Sequence, residues 1–471
     1  MNRLTPSIFF ILTFLFFSTS ISAQSRIIED IDSDDFYGVF EIENHGYLLS
    51  YEKKRKKYLE IYNHDLELIS REITDFKISS HTKLAIRAND EHFILIMSRG
   101  ARQDKNKYRL ISYDFDGKKR NEVDVKAAII NVICADNNKG FFVVAIEKGK
   151  TRVKFFDNDL NKKWDKLVFG KSVLRTSNDL FLPYSIEGYL SKNYAVTSEG
   201  LYFVLTRPKG ALGMKLTDQK IIGISNEGSK IFEKEYDRKT ERILKIEAAG
   251  NNVLAFTLQG NFSRTLSPKV NKTSIEFLNN KETETEKPFA GITYFQEMVG
   301  RLPRYINRDF YKRGEEYIFI LEDTDTPKYL VLRFDLKFNL IDGDEEIFYH
   351  KEACVIHEWA LFGTKTLGKY HDALSHLNDY QFSIFTRDDE LLIIYFQHNV
   401  RKNTVNLNVS SSLEDEENSR SILDDIKYVT NSSDNRVEVI SYHLLRNEFN
   451  NGLYCYFNKK SSQIEMHITE F

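Results

Sequence analysis

The sequence predicts an all-β fold built from one hairpin unit that recurs along the chain. Three observations support this prediction: short apolar runs occur eight times, a turn of polar residues precedes each run, and another β-compatible stretch precedes each turn. Two strands joined by a tight polar turn form a β-hairpin. Eight hairpins of this kind account for almost the whole chain.

The apolar run is the best-defined strand of each unit. The runs are continuous rather than alternating, which is typical of strands that are covered on both faces. In chain order they are residues 47–51, 93–97, 141–146, 201–206, 253–258, 317–321, 391–396 and 453–457.

Two further strands follow most of the runs. The third ends in a turn that contains Asp or Asn, as in residues 58–63 before His64 and Asp65. The fourth is more polar, as in residues 68–73 and 231–236. Each unit therefore has four strands, apolar near its start and polar near its end.

This organisation resembles that of β-propeller proteins, whose blades are four antiparallel strands around a central channel. No WD or kelch signature accompanies it, and the resemblance is one of architecture. It implies eight blades, with seven as the alternative. The last unit supplies only three strands, so residues 25–29 are expected to complete its blade and close the ring.

A membrane-spanning β-barrel is the main alternative fold. Barrel strands alternate apolar and polar residues over about ten positions, whereas the runs in this chain are short and apolar on both faces. The alternation in the final strand also places His467 and Thr469 on the side that would face lipid. Both features favour the propeller.

The first 23 residues are predicted to be a secretory signal peptide. Arg3 precedes an apolar segment at residues 8–17, and small residues lead to Ala23. This pattern matches a signal that is cleaved near Ala23. No later segment has the ~18 uninterrupted apolar residues of a transmembrane helix. We therefore expect a periplasmic, secreted or cell-surface protein with one propeller domain over residues 24–471.

Charge and cysteine content exclude some classes of protein. The formal net charge of −3 gives no reason to expect a nucleic-acid partner. Only three Cys occur, at positions 134, 354 and 455, and such an odd, sparse set is not a disulfide framework. Stability is therefore expected to come from the apolar core.

The loops between the second and third strands of the units are strongly basic. In a propeller these loops all emerge on one face. Seven of the eight carry net positive charge, and together they sum to +18. The candidate binding residues on this face are Lys53, Lys54, Arg55, Lys56, Lys57, Arg102, Lys150, Arg207, Lys209, Arg301, Arg304 and Arg308. Clustered charge attracts partners of opposite sign, so acidic polysaccharide, anionic lipid headgroups or an acidic protein surface are the expected partners.

Three long connectors between blades are expected to open on the same face, at residues 166–194, 284–309 and 343–379. Long insertions on a rigid scaffold often carry binding residues. The second connector interleaves aromatic residues with Arg301, Arg304 and Arg308, which suits sugars or anions. Its apolar residues also recur at helical spacing from Phe295 to Tyr305, which favours a short helix packed on the blades.

The third connector contains the weak candidates for a metal site. His350, Cys354 and His357 share a face only if the segment is helical, and no CxxC or HExxH motif accompanies them. We therefore predict no metal site and no cofactor. No G-x-S-x-G elbow or phosphate-binding loop is present either.

Two functional hypotheses follow from these residues. The first is an exported, non-catalytic propeller that binds an anionic polymer or a protein partner through its basic loops. The alternative is an exported carbohydrate-active hydrolase or lyase with its site in the central channel. Propellers host both kinds of function, so the fold alone does not choose between them.

Overall fold

The structure is a computed structural model of the 471-residue chain. It describes residues 25–31, 36–42, 45–74, 83–99, 107–136, 138–170, 194–209, 215–237, 239–250, 252–261, 269–278, 286–288, 298–299, 302–303, 305–323, 328–337, 339–347, 383–387, 390–399, 404–411, 420–427, 451–458 and 461–470. All regular structure in these ranges is β-strand. The predicted signal peptide lies outside them. No helix in the described residues is long and apolar enough to cross a membrane.

The strands form consecutive four-stranded sheets, which we number as blades in chain order. Blade 1 comprises β2 (Phe36–Ile42), β3 (Gly46–Lys53), β4 (Lys56–Tyr62) and β5 (Leu68–Thr74). Blade 2 comprises β6 (Lys83–Ala88), β7 (His92–Arg99), β8 (Lys107–Asp114) and β9 (Lys119–Val125). Blade 3 comprises β10 (Ala128–Cys134), β11 (Gly140–Glu147), β12 (Lys150–Asp157) and β13 (Lys162–Phe169). Blade 4 comprises β14 (Tyr194–Thr197), β15 (Gly200–Lys209), β16 (Lys215–Ser225) and β17 (Lys230–Tyr236).

Three more blades follow before the chain closes. Blade 5 comprises β18 (Glu241–Ala249), β19 (Asn252–Asn261), β20 (Lys269–Phe277) and β21 (Glu286–Pro288). A ribbon of β22 (Met298–Val299) and β23 (Leu302–Pro303) leads to blade 6, which comprises β24 (Tyr305–Arg313), β25 (Glu316–Asp323), β26 (Lys328–Asp335) and β27 (Leu340–Ile347). Blade 7 comprises β28 (Ser383–Arg387), β29 (Glu390–Asn399), β30 (Thr404–Ser411) and β31 (Arg420–Lys427). The closing sheet contains β32 (Asn451–Asn458), β33 (Gln463–Glu470) and β1 (Ser25–Ile28).

The chain is a β-propeller, as the sequence predicted. Seven of the apolar runs fall inside the second strand of a blade, and the eighth falls inside β32, an edge strand of the closing sheet as described. The first strands of successive blades lie against one another, β2 against β6 and β6 against β10, as do β14 and β18, and β18 and β24. These strands therefore surround the central axis. The count of eight blades over the whole chain stays a prediction.

The N-terminal strand completes the closing sheet as predicted. β1 pairs antiparallel with β33, from Ser25 opposite His467 to Ile28 opposite Ile464. The closing sheet and blade 1 also share one apolar core, in which Leu49 and Cys455 are fully buried. The two ends of the chain are thus joined in one sheet.

Apolar cores between neighbouring blades explain the continuous apolar runs. In blade 2, Ile94 and Ile96 face the core shared with blade 3, while Phe93 and Leu95 face the core shared with blade 1. A second strand is therefore buried on both faces. The fourth strand has a neighbour on one edge only, and in β9 most residues are exposed. Burial of apolar surface on both faces supplies most of the stabilisation.

Glycine at the start of the second strand has a steric cause. Gly46 and Gly140 have φ of 140° and 153°, and a Cβ atom on either would lie 2.0 Å from a carbonyl oxygen of the adjacent third strand. Any side chain at these positions would collide with backbone. The polar turns before these two strands therefore end in Gly because a Cβ atom would clash with the third strand.

The antiparallel order within a blade gives the propeller two faces. We call the strands of each blade a, b, c and d. The a–b and c–d turns lie at one end of the blade, and the b–c turn and the connector to the next blade lie at the other. We call these ends the a–b face and the b–c face.

The connectors between blades differ from their predicted limits. β13 extends to Phe169, β24 begins at Tyr305, and β27 extends to Ile347, so strands occupy residues 166–169, 305–309 and 343–347 of the expected insertions. The helix predicted between Phe295 and Tyr305 is wrong at its described positions, because β22 pairs with β23 there. Pro303, which lacks an N–H group, would interrupt such a helix.

Candidate binding face

The most basic b–c turn joins β3 to β4. Lys53 pairs with Lys56 in the strand register, so Lys54 and Arg55 are the two central residues of the turn. Their φ angles are 51° and 63°, and both side chains are exposed. A two-residue turn with positive φ at both positions normally holds Asn-Gly, because other side chains are strained there. This turn therefore keeps two cations at a conformational cost.

Three of the five cations in residues 53–57 face solvent. Lys54, Arg55 and Lys56 are exposed and have no ion-pair partner among the described residues. Lys53 is held by the Glu29 carbonyl oxygen at 2.7 Å and by Asp30 Oδ2 at 3.6 Å. Lys57 Nζ lies 3.6 Å from Glu52 Oε2. The hairpin therefore has a braced base and a charged tip.

Tyr37 of strand a connects this hairpin with the channel side of blade 1. Its hydroxyl donates to Glu52 Oε2 at 3.0 Å, and Lys57 Nζ lies 6.0 Å from the centre of its ring. A cation over an aromatic ring at this distance is a weak attraction. The half-buried ring also packs against the apolar core between blades 1 and 2, so it supports the base of the hairpin.

The b–c turn of blade 3 repeats the arrangement with less strain. Lys148 and Gly149 are its central residues, with φ of 50° and 74°, and Lys148 and Lys150 are exposed. The cations nearer the middle of the blade are paired, with Arg152 Nε 2.6 Å from Asp165 Oδ1. Lys148 and Lys150 thus face solvent at the b–c end of blade 3, while Lys139 and Lys162 are exposed at its a–b end.

The remaining sequence candidates are only partly described. Arg207 and Lys209 lie at the b–c end of β15, opposite Asp218 and Lys215 in register. Arg308 lies within β24 rather than in a connector. The candidates outside the described residues are Arg102, Arg301, Arg304, His350, Cys354 and His357.

The a–b face uses its polar side chains differently. In blade 3, Asn158 accepts a hydrogen bond from Asn89 of blade 2 at 3.1 Å and donates to the Asn138 carbonyl at 2.8 Å. Asn138 also donates to Asp90 of blade 2. These residues join neighbouring blades to one another. The sequence marked them only as turn residues.

Two histidines on the a–b face have lowered pKa values. Burial lowers the pKa of His92, and the nearby Arg120 guanidinium adds to the effect, against the carboxylates of Asp114, Glu91 and Asp159. Burial, together with His64, also lowers the pKa of His45, whose ring stacks on Phe115. Both histidines therefore favour the neutral form in the folded protein.

A buried carboxylate lies between the faces, within blade 1. Glu60 is fully buried and accepts hydrogen bonds from the hydroxyls of Tyr51, at 2.8 Å, and Tyr62, and it pairs with Arg71. Burial raises the pKa of both tyrosines above their ordinary range. Because internal partners occupy both carboxylate oxygens, this group braces the blade and is not arranged for proton transfer to a ligand.

The described residues contain no group of three or more His, Cys, Asp or Glu side chains that is suited to a metal ion. The prediction of no cofactor remains a prediction, because the His350 segment lies outside these residues.

Comparison with known proteins identifies no family. No family model matches the sequence, and no curated protein matches it. Similar solved structures include the β-propeller domain of the Trilobed protease from Pyrococcus furiosus, with 9% identity and a TM-score of 0.39 over 82% of this chain and 95% of that chain. Prolyl oligopeptidase B from Galerina marginata has 10% identity and a TM-score of 0.41 over 99% of this chain and 60% of that one.

Acylaminoacyl peptidase from Pyrococcus horikoshii is another similar structure, with 10% identity and a TM-score of 0.37 over 80% of this chain. The chain spans about half of that peptidase, 49% of its length. Similarity at these identities concerns the fold and carries no argument about activity.

Proposed function

We propose that this protein is an exported, non-catalytic β-propeller that binds an anionic polymer through its b–c face. The observation that carries the proposal is the turn at Lys54 and Arg55. Both residues are exposed and adopt positive φ, although Asn-Gly would fit the turn with less strain. Backbone strain of this kind is often retained where the side chains have a function.

The distribution of charge along the chain supports the same surface. The formal net charge is −3, yet seven of the eight loops between the second and third strands are positive. Lys148 and Lys150 also face solvent on the b–c side of blade 3. A surface with repeated cations raises the local concentration of a polyanion and binds it at several points.

Export follows from the predicted signal peptide of residues 1–23, and it limits the partners to molecules outside the cytoplasm. Acidic polysaccharide, anionic lipid headgroups and acidic protein surfaces all meet this condition. An extended polymer is favoured among them because the basic turns recur from blade to blade and are not gathered in one pocket.

Salt-dependent binding to immobilised polygalacturonate and heparin tests the proposal. We expect the protein to bind and to elute as salt is raised, because screening weakens contacts between exposed charges. A variant with Lys54→Gln, Arg55→Gln and Lys56→Gln should lose at least about tenfold in affinity, since each surface cation contributes on the order of 1 kcal/mol to attraction by an anionic surface.

The matched control neutralises three lysines at the opposite end of the blades. Lys118, Lys139 and Lys162 are exposed on or beside the a–b face, and their replacement by Gln removes the same charge. This control should bind like the unaltered protein. If both variants lost affinity equally, only the net charge of the protein would matter, and this result would contradict a binding face.

A further inference from the structure

Arg87 is a half-buried cation on β6, the first strand of blade 2. Its Nε atom donates to the Val132 carbonyl oxygen at 3.0 Å, and its Nη1 atom donates to the Ile86 carbonyl oxygen at 2.8 Å. Its Nη2 atom lies 3.5 Å from Asn131 Oδ1. All three acceptors are neutral. Among the residues that the structure describes, the guanidinium charge therefore has no carboxylate partner.

The carbonyl groups of Ile86 and Val132 lie on strand edges that face the central channel. β6 and β10 are edge strands of their sheets, and the first strands surround the axis. The bond from the Asn89 N–H to the His92 carbonyl sets the alternation of paired and unpaired positions along β6. It turns the Ile86 carbonyl to the unpaired edge, and the equivalent bond in blade 3 does so for Val132. The Arg87 guanidinium therefore lies at the channel wall.

The first strands also carry a net positive charge. Within their described bounds, β2, β6, β10, β14, β18, β24 and β28 contain eight Lys or Arg residues and four Asp or Glu residues, a net charge of +4. The whole chain has a formal net charge of −3. A cleft whose walls carry charge of one sign focuses the electrostatic potential and concentrates ions of the opposite sign. Anions are therefore attracted to the wall on which Arg87 lies.

We infer that Arg87 binds one small oxyanion, a carboxylate, phosphate or sulfate group, inside the central channel. The guanidinium has more N–H donors than the described acceptors use, because one N–H on each terminal nitrogen is left over. Two such donors suit the oxygens of an oxyanion. The Ile86 and Val132 carbonyls hold the guanidinium in place, so an anion meets a pre-organised partner.

This site goes beyond the proposed function, because it is separate from the b–c face. Arg87 is the penultimate residue of β6, close to the a–b turn, whereas Lys54 and Arg55 form a b–c turn. The oxyanion is either a free small anion or an acidic group of a longer ligand. Both present the same oxygens to Arg87.

Equilibrium dialysis with radiolabelled phosphate, sulfate and galacturonate tests the inference. Sodium chloride at about 0.15 M suppresses binding to exposed surface charges. We expect the unaltered protein to bind a single anion. Arg87→Gln should lose at least about tenfold in affinity, because charge-assisted hydrogen bonds are lost. Arg87→Lys keeps the charge but lacks the planar pair of donors, so its affinity should be intermediate.

Arg109→Gln is the matched control in the same blade. Arg109 is also half-buried, but it pairs with Asp124 at 2.8 Å. Its replacement removes the same charge and should leave anion binding within about twofold, because screening weakens the effect of distant charges. The triple variant Lys54→Gln, Arg55→Gln and Lys56→Gln should bind the small anions normally.

The outcomes separate this site from the basic face. If the unaltered protein binds none of the three anions, or if Arg87→Gln binds them equally well, Arg87 only links blades 2 and 3 and the site is wrong. If the triple variant loses the small anions, they bind at the b–c face, which also overturns the site. Loss of polygalacturonate binding alone in the triple variant concerns the proposed function and leaves this site standing.

A competition experiment identifies the source of the oxyanion. A short oligogalacturonate that displaces phosphate from the unaltered protein supports an acidic group of a longer ligand, and failure to displace it supports a free small anion. Urea unfolding of each variant checks that it is folded. Should Arg87→Gln not fold, Arg87→Lys decides the question, because affinity equal to that of the unaltered protein would contradict the site.

Discussion

The a–b turns of blades 2 and 3 and the b–c turn of blade 1 use their polar residues in different ways. On the a–b face Asn158 and Asn138 of blade 3 form hydrogen bonds with turn residues of blade 2. On the b–c face Lys54, Arg55 and Lys56 contact no ion-pair partner among the described residues. The a–b turns therefore join blades 2 and 3 through side-chain amides, whereas the b–c turn of blade 1 presents three cations that have no described ion pair.

The turns themselves show the same contrast in their backbone. In c–d turns, side chains brace the strained residue: Asp157 accepts from the Asn161 N–H at 2.8 Å across the positive-φ Leu160. The b–c turn at Lys54 and Arg55 has two such residues in succession and no comparable brace among the described contacts. Because no described contact offsets the backbone strain at Lys54 and Arg55, we assign a function to that end of the blades.

The largest expected effect comes from the a–b face. Replacing Asn158 by Ala removes hydrogen bonds to Asn89, Glu91 and Asn138, and we expect the free energy of unfolding to fall by about 2 to 3 kcal/mol, at about 1 kcal/mol per bond. Urea unfolding measures this change. Polyanion binding should be unaltered.

Asn226→Ala is the control for that variant. Asn226 donates one hydrogen bond to the Ser198 carbonyl at 2.9 Å within blade 4, and its Oδ1 atom has no hydrogen-bond partner among the described residues. The decrease in the free energy of unfolding should be about a third to a half of that in Asn158→Ala. Equal losses from both variants would count against bonding between blades as the special property of this face.

A smaller effect of opposite sign is expected at the b–c turn of blade 1. The double substitution Lys54→Asn and Arg55→Gly gives the preferred turn sequence, so the free energy of unfolding should rise by about 1 to 2 kcal/mol. Affinity for polygalacturonate should fall in the same variant, because two exposed cations are lost. Urea unfolding and the binding titration measure the two effects.

Lys148→Asn is the matched substitution in blade 3, where Gly149 already occupies the second turn position. Its gain in stability should be smaller, because only one side chain is relieved. If the double substitution in blade 1 brings no gain in stability, the turn at Lys54 and Arg55 is not strained, and the argument for function at this turn loses its main support.

The sequence alone predicts the blades but not their connections. The apolar run at residues 47–51 and the turn before Gly46 identify a hairpin, because covered strands and tight turns have local signals. The bond between Asn89 and Asn158 joins residues 69 positions apart, so no local pattern reveals it. The sequence predicts the cluster at residues 53–57 in one loop, whereas only Lys54 and Arg55 form the turn and the other three residues lie at the ends of β3 and β4.

A β-bulge in β2, where the register skips Tyr37 between Phe36 and Gly38, shows a second limit of sequence reasoning. A bulge depends on the register of two strands, and Tyr37 and Gly38 mark it only once their pairing with Tyr51 and Ser50 is known. Arg308 shows a related limit, because the sequence predicts it in a connector and the structure has it within β24. The spacing of residues along one strand does not show which residues of the neighbouring strand lie opposite them.

Acid should weaken the a–b face and spare the b–c face. The pKa of His92 is below its ordinary value of 6.5 in the folded protein, so the unfolded chain takes up the proton first as the pH falls. Stability should therefore be complete above about pH 6.5 and decline below it. Comparing urea unfolding at about pH 7.5 and about pH 5.5 measures the decline, and His92→Gln should reduce it. Binding of polyphosphate through lysine and arginine should stay constant over the same interval while the protein is folded, since neither side chain titrates there. If stability declined equally in His92→Gln, other groups would be responsible for the acid sensitivity, and His45 would be the next residue to replace.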